Sequence, residues 1–148
     1  MRTRSPAQKN SRSSDWAIEL LPGLSEQDQV RLKGCGIKTT LQLLQKAKTP
    51  AQRQALAAQL QIHIQHVNKW VALANLSRIP TVGCQHCGLL LHAGISSPAQ
   101  LAQTPLPRLH RQLQKLHVAM MQREDLCPDL GEVSRWIEQA RALSLTQR

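Results

Sequence analysis

With 148 residues and a formal net charge of +10, the chain is long enough for one domain or two very small ones. Hydrophobic residues make up 41% of the sequence, Leu and Ala dominate them, and Phe and Tyr are missing, which favours an all-helical fold over a sheet. The three Trp are too few for binding single strands by base stacking, and no apolar run approaches the roughly 20 residues that span a bilayer.

The charges are distributed unevenly along the chain. All nine Asp and Glu lie outside the segment from Gln29 to Arg123, which holds twelve Lys and Arg and all six His. A surface without carboxylates suits a polyanionic partner, because phosphates repel Asp and Glu and release counterions when they bind Lys and Arg. The segment therefore predicts a nucleic-acid binder. The alternative is a basic protein without such a partner, since net charge speaks mainly to solubility and non-specific association.

Residues 1–14 come first and carry Arg2, Arg4, Lys9 and Arg12 among Ser, Asn and Gln. Because it has no apolar anchor, this segment predicts a disordered basic arm. A transit peptide shares its composition but is usually longer, and no secretory signal is visible. The four Cys are expected as thiols in a reducing cytoplasm. The nucleoid is the expected site of a DNA binder, and the plastid stroma if the source is a plant.

Residues 15–78 form a first predicted repeat, which opens with an apolar residue, Pro and a Gly-containing turn, in the order Leu21-Pro22-Gly23-Leu24-Ser25. Ser25 is expected to cap a helix that begins at Glu26, and Gly36 to end that helix in a left-handed conformation. Cap signals at Thr40 and Thr49-Pro50 predict the starts of the next two helices. A 3.6-residue apolar spacing predicts a further helix that contains Val67, Trp70, Val71 and Ala74.

Residues 79–148 form a second predicted repeat, which opens with Ile79-Pro80-Thr81-Val82-Gly83. Gly94-Ile95 corresponds to Gly36-Ile37, Ser97-Pro98 is a further cap signal, and Trp136 corresponds to Trp70. The Trp pair is more widely spaced than the Gly-Ile pair, which places about eight extra residues around Met121 to Asp129.

The apolar spacing before and within the last helix completes the prediction of about eight to ten short helices without a sheet. Four acids are expected near the N-terminus of the last helix, where they favour its dipole; they are Glu124, Asp125, Asp129 and Glu132. All three Trp, at positions 16, 70 and 136, are expected at apolar helical positions in the core.

Both openings resemble the helix-hairpin-helix motif, whose pattern is apolar-x-Gly-apolar-Gly before a helix. Glycine allows the sharp bend, and the unpaired N–H groups at the start of the new helix bind a phosphate oxygen. The match is partial, because Ser25 replaces the second Gly in the first repeat and Thr81 replaces the first Gly in the second. A hairpin that only joins packed helices is therefore the alternative at both positions.

From about Leu20 to Leu143 the chain resembles a tandem helix-hairpin-helix family that is known mainly from cyanobacteria and plastids as a domain of unknown function. Three blocks carry the resemblance: Leu21-Pro22-Gly23-Leu24-Ser25, His66-Val67-Asn68-Lys69-Trp70-Val71, and Gly83-Cys84-Gln85-His86-Cys87-Gly88. The resemblance implies a fold of tandem hairpins and no reaction. Related hairpins occur as non-specific DNA-binding modules, and their role is extended to this chain by analogy only.

The predicted contacts with duplex DNA combine the two hairpin turns with nearby basic residues. They are Gly23, Leu24, Ser25, Lys33, Lys38, Thr81, Val82, Gly83, Arg108, Arg111 and Lys115. No enzyme is expected, because the basic segment offers no carboxylate pair for acid–base chemistry or for Mg²⁺. The alternative function is an adaptor that docks an acidic protein partner, which the incomplete glycine pattern favours.

Cys84 and Cys87 are weak candidates for a metal site, because their spacing suits one half of a zinc site. Further ligands are conceivable but not convincing, and no cofactor is therefore expected; the candidates are Cys35, His86, His92 and Cys127. A redox pair is a third functional class, since a helix N-terminus lowers the pKa of a thiol. The structural alternative is two thiols on one helix face, one of them packed inward.

Overall fold

A computed structural model describes residues 14–121 and 128–146 of the chain. Within these residues there are eight α-helices, one 3-10 turn (Ile18–Leu20) and no strand; the helices are α1 (Glu26–Gly34), α2 (Thr40–Lys46), α3 (Pro50–Leu60), α4 (Ile64–Ser77), α5 (Gly83–His92), α6 (Pro98–Ala102), α7 (Leu106–Met121) and α8 (Leu130–Thr146). The predicted all-α class is confirmed. In the part of the chain described, no helix combines the length and apolar character needed to cross a membrane. The predicted basic arm falls almost entirely on residues 1–13, outside the described ranges.

The helices begin where short polar side chains cap them. The Ser25 hydroxyl accepts a hydrogen bond from the Asp28 amide at 3.1 Å, and the Asp28 carboxylate accepts one from the Ser25 amide at 3.3 Å. This reciprocal capping box satisfies two N–H groups that the helix leaves unpaired. Boxes of the same kind start α2 and α3, and a Ser cap starts α6; the capping residues are Thr39, Thr49 and Ser97.

The prediction that Thr40 caps a helix is wrong by one residue. Thr39 caps α2, and its partner Gln42 bonds back to the Thr39 amide at 3.2 Å. Thr40 is the first helical residue and is buried, and its hydroxyl accepts a hydrogen bond from the Trp16 amide at 3.1 Å. The Thr40 side chain therefore anchors the chain that precedes the helices.

Gly36 and Gly94 end α1 and α5 in the left-handed region, with φ of +83° and +92°, as predicted. After each glycine the amide of a buried isoleucine bonds back to the last turn of the helix. Ile37 reaches the Leu32 carbonyl at 2.9 Å, and Ile95 reaches the Leu90 carbonyl at 3.0 Å. This arrangement lets the chain reverse and start the next helix with an apolar anchor in the core.

The buried side chains of the described residues form one hydrophobic cluster. In it α4 packs against α2, α3 and α5, while α8 packs against α6 and α7, and α5 also meets α7. Trp70 and Trp136 are buried at helical positions, as predicted. Trp16 is an exception: it is only partly buried, and it lies outside any helix, before the 3-10 turn.

Residues 14–18, here called the Trp16 segment, connect α2 with the end of α4. The Trp16 indole N–H donates to the Ser77 carbonyl at 2.7 Å, and the Ser14 amide donates to the Arg78 carbonyl at 3.0 Å. On the other side the Ile18 amide bonds the Lys38 carbonyl at 2.9 Å. The segment thus ties the start of the chain to the junction between the two predicted repeats.

The connection before α8 is where extra residues were expected. Helix α7 has 16 residues against 11 in α3, so part of the added length extends that helix. Asp129 accepts a hydrogen bond from the Glu132 amide at 2.8 Å, which confirms an acid at the start of α8. Glu124 and Asp125 lie outside the described residues.

Candidate nucleic-acid interface

The first hairpin turn, Pro22 to Ser25, is accessible at its glycine. Gly23 is exposed and has a φ of +83°, a conformation that glycine adopts readily. Leu24 instead packs against the core, and Ser25 is engaged in the capping box. In the described part of the chain, the amides of Glu26 and Gln27 have no acceptor. Two backbone donors are therefore available to an anion at the start of α1.

The side chains around this turn have mixed charge. The Lys69 ammonium of α4 lies beside it, 3.7 Å from the position that a Cβ atom would take at Gly23. The predicted contact Lys33, in contrast, forms an ion pair with Glu19 at 3.3 Å. A backbone hydrogen bond and then Lys33 lower the pKa of Glu19, so this carboxylate is ionised at neutral pH. Lys69 is thus the available cation, and only the packing of α4 places it here.

The second hairpin turn, Pro80 to Gly83, has its amides occupied. The Thr81 amide and hydroxyl both donate to the Gln139 side chain, at 3.0 and 2.8 Å. The amides of Val82 and Gly83 donate to the Ile79 carbonyl at 3.0 and 2.9 Å. Val82 and Gly83 are also buried. The three predicted phosphate contacts of this turn therefore have the geometry of a joint between packed helices.

The Trp16 indole covers the second turn. A Cβ atom added at Gly83, whose φ is +54°, would lie 3.1 Å from Cζ2 of Trp16. Beyond the turn, the amides of Cys84 and Gln85 have no acceptor among the described residues, and the first turn of α5 contains no acid. These two residues, with Trp16 and Leu20, line a cleft of about 340 Å³. Any anion contact here would involve the helix start and not the turn.

Helix α7 presents a basic face. Arg108, Arg111 and Lys115 are exposed, and their spacing of three and four residues places them on one side of the helix. Arg108 also lines a groove of about 400 Å³ next to the Gly94 turn. Gln112 fixes that arrangement by donating to the Ala93 carbonyl at 3.0 Å. The structure therefore brings Arg108 next to the turn that ends α5, a proximity that the sequence pattern did not indicate.

Few of the basic side chains are neutralised by a neighbouring acid. In residues 14–116 and 128–143, whose side chains are described, a carboxylate lies within 4.0 Å of a basic group in two cases, Lys33 with Glu19 and His86 with Glu132. The exposed cations without such a partner include Lys38, Lys48, Lys69, Arg108, Arg111 and Lys115.

Burial controls the chemistry of the cysteine pair. Burial raises the pKa of Cys84 to about 11 and that of Cys87 to about 12, although Cys84 lies in the first turn of α5. The expectation of lowered pKa values at this helix N-terminus is wrong, because burial disfavours the charged thiolate form of both groups. Both groups are therefore thiols at neutral pH, which leaves a redox pair without its activated nucleophile.

The same region shows no assembled metal site. Among the described residues, no three His, Cys, Asp or Glu side chains are placed to hold a metal ion. His86 lies against the Trp136 ring at 5.0 Å and approaches Glu132 at 3.7 Å, and burial lowers its pKa. Cys127 is outside the described residues. The expected lack of a cofactor stays a prediction.

Comparison with known proteins gives a family and no activity. No match was found among curated proteins, and none among solved structures. A protein-family model, described as "Domain of unknown function (DUF4332)", matches residues 22–143, which include both hairpin turns and the basic face of α7. Because this match covers most of the sequence, the chain belongs to the DUF4332 family.

Proposed function

We propose that this protein is a non-enzymatic, tandem helix-hairpin-helix protein that binds the phosphate backbone of nucleic acid, duplex DNA above all, without sequence preference. The observation that carries the proposal is the set of exposed Lys and Arg without a carboxylate partner in the described residues. A phosphate backbone pairs with such a surface and releases its own counterions in doing so.

The order of the helices supports the tandem arrangement. Each half has a Gly-terminated helix, a capped helix after it and a long final helix with a buried Trp. In these roles Gly36, Thr39 and Trp70 of the first half correspond to Gly94, Ser97 and Trp136 of the second half. Two such hairpins side by side suit the two backbones of a duplex, because backbone contacts position a protein without reading bases.

Within this proposal the three regions contribute unequally. The first turn provides two backbone amides and Lys69, but Glu26 and Asp28 oppose phosphate there. The second half provides the amides at the start of α5, without any acid in that turn. The basic face of α7 provides three long cationic side chains and is the largest electrostatic contribution. A DNA-bound protein would lie with the nucleoid in the cytoplasm, or in the stroma of a plastid.

A salt titration tests the proposal. Fluorescence anisotropy with labelled duplex DNA, single-stranded DNA and RNA would be recorded between about 50 and 300 mM salt. With about 4–6 phosphate contacts, log K should fall with log salt at a slope near −4 to −5. Duplexes of different sequence should bind alike, and single strands more weakly. No duplex binding at about 50 mM salt would refute the proposal.

A second candidate function is an adaptor for an acidic protein. It is favoured by Leu20, which is 55% exposed beside the cleft at the second turn, and by the covered state of that turn. Exposed apolar residues next to cations suit a protein partner better than a phosphate backbone. The same titration separates the two functions, since an adaptor would show no duplex binding with the slope given above.

A further inference from the structure

A second groove lies between α2, α3 and α4, and its lining ends at Arg78, just before the second hairpin turn. Its volume is about 340 Å³, and aliphatic side chains of α2 and α4 form part of its wall. The polar part of the wall consists of Gln45, Lys48, Arg53, Asn75 and Arg78. Three of these five side chains are cationic and none is acidic, which makes the groove a region of concentrated positive charge.

Arg78 is the unusual member of this wall. Its Nη1 donates to Asn75 Oδ1 at 2.9 Å, whereas its Nε and Nη2 are buried and have no hydrogen-bond partner. These two nitrogens form one edge of the planar guanidinium, and their N–H bonds run parallel. Such an edge matches two oxygens of one carboxylate or phosphate. Burial lowers the pKa of Arg78, but a guanidinium remains charged at neutral pH.

Two buried donors of a charged group that have no partner are costly, and a counter-charge in the groove would offset this cost. The second arginine of the groove is held in place by the backbone: Arg53 donates from Nε to the Ala47 carbonyl at 3.1 Å and from Nη2 to the Lys48 carbonyl at 3.3 Å. Both acceptors belong to the connection between α2 and α3. The Arg53 charge is thereby fixed at the groove, while the exposed Lys48 is free to move toward a ligand.

We infer that this groove binds the phosphate group of a small phosphorylated ligand, with the Nε–Nη2 edge of Arg78 as its bidentate donor and Arg53 and Lys48 as its charge partners. Three cations favour a phosphomonoester dianion over a carboxylate, since the Coulomb attraction grows with the ligand charge. Binding includes a turn of the buried guanidinium toward the groove that it lines. The aliphatic wall accommodates the apolar part of the ligand. This site goes beyond the proposed function: Lys48 is also one of the exposed cations that support nucleic-acid binding, whereas Arg78 is not.

The first test compares thermal unfolding of the full chain in inorganic phosphate and in sodium chloride of equal ionic strength at pH 7. Ligand that binds only the folded state raises Tm, by about 3–6 °C at a concentration near ten times Kd. Arg78→Met keeps the aliphatic stem and removes the charge. We expect this variant to lose the phosphate response and to have a higher Tm than wild type in chloride, because a buried unpaired charge is gone.

Lys115→Met is the matched control, because it removes one positive charge from the exposed face of α7. It should keep the phosphate response and weaken duplex binding, whereas Arg78→Met should leave the duplex salt slope unchanged. The two proposals can therefore fail separately. No phosphate response in wild type, or an equal response in Arg78→Met, would overturn the inference. If Arg78→Met does not fold, Lys48→Met decides: a loss of at least about threefold in phosphate affinity supports the site, and unchanged affinity contradicts it.

The source of the phosphate is separated by three probes in a calorimetric titration: inorganic phosphate, a nucleoside monophosphate, and a short oligonucleotide with or without a 5′-phosphate. Tighter binding of the monophosphate than of inorganic phosphate indicates a small phosphorylated molecule. A gain that depends only on the 5′-phosphate of the oligonucleotide indicates a nucleic-acid end. If no probe binds, the groove is not a phosphate site.

Discussion

The two hairpin turns begin with similar sequences but have different surroundings. At the first turn Gly23 is exposed, and the nearest side-chain atom to its missing Cβ is the mobile end of Lys69, at 3.7 Å. At the second turn Gly83 is buried under the Trp16 ring, and Gln139 occupies the Thr81 amide. A hairpin motif therefore defines the path of the backbone, while distant parts of the chain decide whether its donors remain available.

The largest expected effect comes from removing the cover of the second turn. Trp16→Ala deletes a partly buried indole and its 2.7 Å hydrogen bond to the Ser77 carbonyl. We expect a loss of about 3 kcal/mol in the free energy of unfolding, measured by urea denaturation. Leu20→Ala, an exposed apolar residue on the same cleft, is the control and should cost far less. Similar losses in both variants would show that Trp16 does not hold the junction.

The alkylation rate of Cys84 is a second measure of how the Trp16 ring covers this cleft. With its pKa raised from 9.0 to about 11, Cys84 should be alkylated at pH 7.5 about 10-fold more slowly than an unperturbed thiol, because the loss of thiolate outweighs its higher nucleophilicity. Mass spectrometry of the peptides after timed alkylation measures this rate. Trp16→Ala should raise it, because the ring lines the same cleft as Cys84. Rapid alkylation of Cys84 in the folded wild type would restore the redox hypothesis.

Alanine substitutions at Gly83 and Gly23 compare the two turns directly. Gly83→Ala should cost about 2 kcal/mol, because it adds a positive-φ penalty to a 3.1 Å approach to Trp16, whereas Gly23→Ala should cost about 1 kcal/mol for φ alone. Urea denaturation of both variants gives the difference. In a Trp16→Ala background the cost at Gly83 should fall to that at Gly23. Equal losses of stability for Gly83→Ala and Gly23→Ala in the wild-type background would show that the Trp16 ring does not restrict the second turn.

The smallest expected effect is a difference in duplex affinity between variants of two lysines near the first turn. Lys69→Met should lower duplex affinity by a few-fold and reduce the salt slope by about 1, because Lys69 has no acid partner. Lys33→Met should change both values less, because Glu19 already balances its charge. The anisotropy titration described above measures both. A larger loss for Lys33 than for Lys69 would mean that the ion pair with Glu19 opens on binding.

Local features of the fold were predictable because their causes are local. A Ser or Thr cap, or a glycine after the last helical residue, acts within four residues, and Ser25, Gly36 and Gly94 lie where expected. The error at Thr40 was avoidable, since Gln42 stands three residues after Thr39 and completes a capping box with it. The three-residue spacing between Thr39 and Gln42 therefore indicates the correct capping residue from sequence alone.

The candidate sites were less predictable because they depend on packing between distant residues. Thr81 and Gln139 are 58 residues apart in sequence, and no local pattern indicates that one occupies the amide of the other. Lys69 reaches the first turn only because α4 packs there. Arg78 directly follows a helix, and nothing in the sequence distinguishes it from other basic residues. Its guanidinium edge without a partner can be identified only from the structure, which shows that Nε and Nη2 are buried.

The Trp16 segment also has a consequence for synthesis on the ribosome. Its indole is bonded to a carbonyl 61 residues further along the chain, and Gly83 is more distant still. At about 5–20 residues per second, several seconds pass between the emergence of Trp16 and that of its partners. Throughout that interval the indole is an uncovered apolar group on a nascent chain. Docking of this segment therefore waits for the end of α4, and the second turn reaches its covered position only after Gly83 has followed.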